Sequence, residues 1–140
     1  MLVIHHGIEE CLGAPRRCDV SRFAVPGSRA ADMLTDLVQQ YRLLGLVARP
    51  VPELSYVVPE SVRRIGAVQF EVVACEVDGS WQMDSRGTTD TADDAVWDDR
   101  LVSRRARHVL EHSPLGWRRV DVVNLEVWEG VNACPRSVRV

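Results

Sequence analysis

Lysine is absent: all 17 basic residues of the 140-residue chain are arginine. A P-loop needs a lysine on its phosphates, and Schiff-base and PLP enzymes need one as the nucleophile, so all three classes are excluded. The chain also lacks G-x-G-x-x-G and G-x-S-x-G, which removes the dinucleotide fingerprint and the nucleophile elbow. There is no C-x-x-C, and the four cysteines (Cys11, Cys18, Cys75 and Cys134) are irregularly spaced. No apolar run approaches the roughly 18 residues of a membrane span. Near Met1 only Leu2, Val3 and Ile4 form an apolar run, whereas a secretory signal needs a basic start and about 7–15 apolar residues. The expectation is a cytoplasmic chain, or one packaged in an assembly, with no membrane partner and with reduced, buried thiols.

What is present is ordinary globular composition, 46% hydrophobic and 26% charged, and the length suits one domain. A formal charge of −3 gives no overall attraction to a phosphate backbone, so nucleic acid is not an expected partner. Valine is frequent along the chain. Its branched Cβ packs well on a pleated surface, which predicts substantial sheet.

Residues 2–6 read as a short strand, and 7–27, rich in Gly, Pro, Arg and Cys, as irregular. Ser28 is a good N-cap. After it Ala31, Leu34, Val38, Tyr41 and Leu44 recur at helical steps, and Gly45 suits a left-handed cap, so the spacing predicts a helix over 29–44. Residues 46–49 read as a short strand. Then a strand–helix–strand pattern occurs twice: strand 54–58, a helix near 59–65 opened by Pro59, strand 68–77; and strand 96–102, helix 103–112 capped by Ser103, strand 118–128. Residues 78–91 read as a long loop or irregular hairpin. In 120–128, Asn124 and Glu126 alternate with Val123, Leu125 and Val127, so one face is wet. These patterns predict a single α+β domain over 1–140: a mainly antiparallel or mixed sheet with about three helices packed on one face. An irregular segment, 1–27, precedes it and a tail, 133–140, closes it.

No motif demands a cofactor; zinc is the one candidate. His108, Glu111 and His112 spell H-x-x-E-H. On a helix the two imidazoles lie four apart on one face, the spacing a zinc ion needs, with the glutamate as a base on bound water. The competing reading is a helix flank where histidine near the C-terminus is favoured by the dipole alone. His5, His6, Cys11 and Cys18 form a second set of zinc-compatible ligand types, against incidental thiols in an irregular segment.

Charge is segregated. Asp84, Asp90, Asp93, Asp94, Asp98 and Asp99 share one stretch opposed only by Arg86; Arg100, Arg104, Arg105, Arg107, Arg118 and Arg119 follow, opposed only by Glu111. One reading is a solvated surface whose exposed pairs contribute little. The other is a recognition surface in which Trp81 and Trp97 anchor a partner and Asp93, Asp94, Asp98 and Asp99 steer a basic one.

The stretch LVSRRARHVLE (101–111), followed by a glycine turn and the valine-rich 120–127, resembles the closing segment of bacterial polymorphic-toxin immunity proteins. There a V-S-x-R-A-x-x-x-L-E helix leads through a turn into a last strand. The resemblance covers about 30 of the 140 residues. It implies a small cytosolic inhibitor that presents an acidic face to a toxin, with no catalytic residue. The expected function is therefore a non-enzymatic protein-binding module, with an immunity- or antitoxin-like inhibitor as the form that the resemblance implies. The alternatives are a structural component of a phage particle or secretion-type machine, where homo-oligomers are possible, and a small zinc-dependent hydrolase built on His108, Glu111 and His112.

Overall fold

The chain begins with a helix where a strand is expected. In a computed structural model that describes residues 1–86, 92 and 94–134, the side chains of Leu2 and Pro52 excepted, α1 spans Leu2–Gly13. Its apolar residues Ile4, Ile8 and Leu12 are four apart and so share a face. Ile4 packs on Val72, Ala74 and Leu110, Leu12 packs on Leu34, Val38 and Tyr41, and Ile8 touches both clusters. The reading of 1–27 as an irregular segment is corrected accordingly; short 3-10 turns at Pro15–Arg17 and Val20–Arg22 follow the helix.

Helix α2 (Arg29–Leu44) is the one the spacing predicts. The Ser28 hydroxyl accepts from the Ala31 amide at 3.1 Å, which satisfies one of the first-turn donors that have no intrahelical partner. Gly45 closes it at φ +66°, a conformation that is free of penalty only without a Cβ.

Seven strands follow: β1 (Leu46–Arg49), β2 (Tyr56–Arg64), β3 (Gln69–Asp78), β4 (Trp81–Asp84), β5 (Ala95–Asp98), β6 (Val102–Ser113) and β7 (Gly116–Glu129). They form two sheets, ordered β1-β4-β5 and β2-β3-β6-β7, and every named pairing is antiparallel. Two α-helices among the described residues accompany them, so the fold is mostly β and the α+β expectation with three helices is overturned. Both supposed central helices are strands. At 59–65 the proline taken for a helix start lies in edge strand β2, beside a register shift between Pro59 and Ser61, where a missing N–H breaks no central ladder. At 103–112, arginine, alanine and leucine favour a helix locally. Pairing with β3 on one side and β7 on the other overrides that preference.

The thiol expectation is also corrected. Cys11 is bonded to Cys18, and Cys75 to Cys134. The second bond ties the chain after β7 against the outer face of the larger sheet, where Cys75, Val77 and Cys134 cluster with Tyr56, Val58 and Leu101. Two hydrogen bonds reinforce it: Tyr56 Oη donates to the Cys134 carbonyl at 2.7 Å and Ser103 Oγ to the Val131 carbonyl at 2.6 Å.

The chain passes from the larger sheet to the smaller one at Gly79, whose amide donates to the buried Ser55 hydroxyl at 3.2 Å. A Cβ there would run into the Leu54 Cβ and sit 3.0 Å from the Leu54 carbonyl oxygen. Backbone has to move to admit it, so Gly79→Ala is expected to lower stability by about 1–3 kcal/mol, read as a lower urea midpoint at an unchanged m-value.

Candidate functional site

Strand alternation places Val72, Ala74 and Glu76 on the face of β3 that meets α1. The register sets Arg104 opposite Glu76, Ala106 opposite Ala74 and His108 opposite Val72. Glu76 is thus a carboxylate inside an apolar layer, 1% exposed. An isolated buried charge is strongly unfavourable, so partners are compulsory. Arg104 Nε donates to Glu76 Oε2 at 2.6 Å. His108 is wholly buried and leans over the small Ala74–Ala106 pair. Its Nε2 lies 3.0 Å from Glu76 Oε1, a close contact that is off-line for a hydrogen bond. Arg119 Nη2 is 3.5 Å from the same oxygen.

Arg119 arrives by a bulge. Val109 pairs with Asp121 but Leu110 pairs with Arg119, so one residue of β7 is skipped. The skip turns Arg119 inward, as bulges re-aim side chains. Its backbone is held from the other side: its amide donates to the Phe23 carbonyl at 2.7 Å, and its carbonyl accepts from Val25 at 2.9 Å. From α1, His5 and Glu9 complete the group, their Nε2 and Oε1 3.7 Å apart, while Ser80 Oγ donates to Glu9 at 2.9 Å.

Burial by itself would push the Glu76 carboxyl up, but His108, Arg104 and Arg119 outweigh it and hold the group well below the usual carboxylate range. Burial pushes the His108 imidazole down, against the pull of Glu76. It does the same to His5, where Glu76 and Glu9 pull the other way. Burial also lowers Arg119, to about 10, which leaves it charged at neutral pH. The arrangement is an anion held by two cations and a neutral imidazole. Above it α1 and α2 do not close on the sheet, and a cavity of about 220 Å³ remains, floored by Glu76, Arg104 and Arg119 and walled by Leu34, Leu37 and Val122 among others.

The two zinc sets are not assembled. His108 and His112 lie on strand β6; four residues of strand span about 13 Å, too far for one ion. Cys11 and Cys18 are joined to each other, so they offer no thiolate to His5 and His6. No group of three or more metal-ligating side chains occurs among the described residues. Five of the six supposed recognition residues lie on the smaller sheet or at its ends. Trp81 lies on β4 opposite Arg49; Trp97 and Asp98 lie on β5, with Asp94 and Asp99 at its ends. Asp94 is 3.5 Å from Arg49 Nη2, and Asp98 accepts from Arg100 Nη2 at 2.9 Å. Asp93 and Asp90 lie outside the described residues, as does most of the tail 133–140. The stretch that carries the immunity-protein resemblance forms the β6–β7 hairpin rather than a helix, turn and strand.

Glu76, Arg104 and Arg119 were not singled out as a site from sequence. A lone acid in the apolar run Val72–Val77 was the available signal for the first of them.

No family profile matches the chain, and no curated protein matches it. Among solved structures the fold is similar to that of the intermembrane space region of chloroplast protein ARC6. The TM-score is 0.63 over 86% of this chain and 87% of that one, at 18% identity. That likeness is one of fold.

The ionic core makes stability acid-sensitive. Unfolded glutamate titrates near pH 4.3 and histidine near 6.5. His108 and His5 have lowered values in the fold, so below about pH 6.5 the unfolded chain takes up their protons first and stability falls. Glu76 is lowered as well; its contribution is present above about pH 4.3 and is lost as pH falls further. The melting temperature is expected to drop steadily from pH 7.5 to pH 4. In His108→Gln the slope between pH 7 and 5.5 should flatten.

Proposed function

We propose that the chain is a non-enzymatic protein-binding module that engages a basic partner through the small β1-β4-β5 sheet. The observation that carries this reading is Trp97. It is 59% exposed, next to Val96 at 52%, on a strand that forms the edge of its sheet. A large apolar side chain left in water beside acids matches the anchor-and-rim chemistry of protein interfaces. Exposed Asp99 and part-exposed Asp98 supply the negative rim, while the Asp94 side chain is buried against Arg49. An inhibitor of the immunity or antitoxin kind is one form of this reading; the sequence of 101–127 suggests it, and the hairpin that these residues form does not.

A second reading, an assembly component, is favoured by two observations. Edge strand β5 can accept another strand, and Leu125 and Val127 stand exposed on β7, whose fold is shared with a region of a larger protein.

The compartment belongs to this proposal. Two disulfides with every cysteine paired fit an oxidising compartment better than the cytoplasm. Alkylation of the denatured protein from its source is expected to find no free thiol; four free thiols would reverse the assignment.

Native mass spectrometry on the same material tests the binding reading. A second polypeptide in one-to-one complex is expected, and Trp97→Ala should weaken it by about 2 kcal/mol, roughly 30-fold. Its stability should change by no more than about 0.5 kcal/mol. A bare monomer, or a complex indifferent to Trp97→Ala, sinks the proposal, and a ladder of self-assembled masses replaces it with the assembly reading.

A further inference from the structure

The cavity between the helices and the larger sheet has a chemistry that the binding surface does not use. Three of its lining side chains, His5, Glu76 and Arg119, come from α1, β3 and β7, and each is buried. Each also has a polar atom with no hydrogen-bond partner among the described residues: His5 Nε2, Glu76 Oε1, and Nε and Nη2 of Arg119. Buried polar atoms are nearly always satisfied by protein, water or ligand. Here Glu76 Oε1, whose contacts with His108 Nε2 at 3.0 Å and Arg119 Nη2 at 3.5 Å are electrostatic but not aligned as hydrogen bonds, meets donors without partners at one cavity floor. The remainder of the lining is largely apolar, with Leu12, Leu34, Leu37 and Val122, alongside Arg104 and the carboxylates of Glu9 and Asp78.

We propose that this cavity binds a small neutral alcohol, a single ring carrying one hydroxyl, with the ring against α2 and the hydroxyl between Glu76 and Arg119. Size permits it. A cavity of about 150 Å³ takes a benzene ring, and this one is about 220 Å³. Charge selects the head group. A carboxylate would accept from Arg119 but meet Glu76, which already lies 3.5 Å from that guanidinium. An ammonium would donate to Glu76 but leave the Arg119 donors unpaired and add a third cation beside Arg104. A hydroxyl donates to Glu76 Oε1 and accepts from Arg119 in the same pose, since it carries one donor and two acceptor lone pairs. A hydrocarbon of the same shape satisfies neither. The walls favour an apolar body because the cavity buries most of a ligand that size. His108 is not among the cavity's lining residues.

Titration of the full, disulfide-intact chain at pH 7.5 tests this with benzyl alcohol, toluene, benzylamine and benzoate, followed by calorimetry and amide chemical shifts. Benzyl alcohol is expected to bind saturably and at least about tenfold more tightly than each of the other three, because only it pairs Glu76 Oε1 and the Arg119 donors in one pose. Leu37→Trp, at the half-exposed rim of α2, should fill the cavity and abolish binding while the melting temperature stays close to that of the parent. Met33→Trp, also at the rim, serves if Leu37→Trp does not fold. Benzoate or benzylamine binding as tightly as the alcohol overturns the proposed head group. Absence of saturable alcohol binding, or binding that survives both tryptophan variants, overturns the site.

Discussion

A carboxylate with almost no contact with water governs the larger sheet. Glu76 sits in a layer of Val72, Ala74, Ala106 and Leu110, where a charge is tolerated only if opposite charge and hydrogen bonds replace its hydration. Three separate features meet that demand. Register brings Arg104 across from it, a bulge turns Arg119 toward it, and a pair of alanines leaves room for His108 to reach it. A slip of one residue between β3 and β6 would put Arg104 and His108 on the face opposite Glu76. The ion cluster therefore acts as a register pin as well as a polar floor, in a sheet whose valines would tolerate several registers.

Consecutive residues of β3 serve opposite faces. Glu76 points to the helices; Cys75 points away and is bonded to Cys134. One stretch of strand thus anchors the inner ionic group and the segment after β7. Closing so long a loop covalently removes much of the freedom of the unfolded chain, an effect of about 2–4 kcal/mol. Above the inner face, α1 contributes both apolar residues and the His5–Glu9 pair, so the same helix seals the core and furnishes the cavity.

Two regions of different character result. The smaller sheet presents an exposed tryptophan among acids, which suits recognition of another protein. The cavity opens at the rim of α2 and is apolar at its walls and polar at its floor, which suits a small molecule.

The sequence by itself determined helix 29–44 with its serine cap and glycine stop, the short strand after it and a long strand, expected over 68–77 and found at Gln69–Asp78, because these depend on neighbours a few residues away. It misjudged 59–65 and 103–112, where local preference for helix is real but sheet partners from distant segments outvote it. Only the tertiary structure decided the cysteine pairing, because Cys75 and Cys134 are 59 residues apart and spacing carries no distance. The buried ionic group was hidden for the same reason. By simple alternation Arg119 falls on the face opposite Val122; a one-residue bulge reverses it. Arg104 and His108 resembled the polar flank of a helix, and in a strand they are the inner face that a buried glutamate requires.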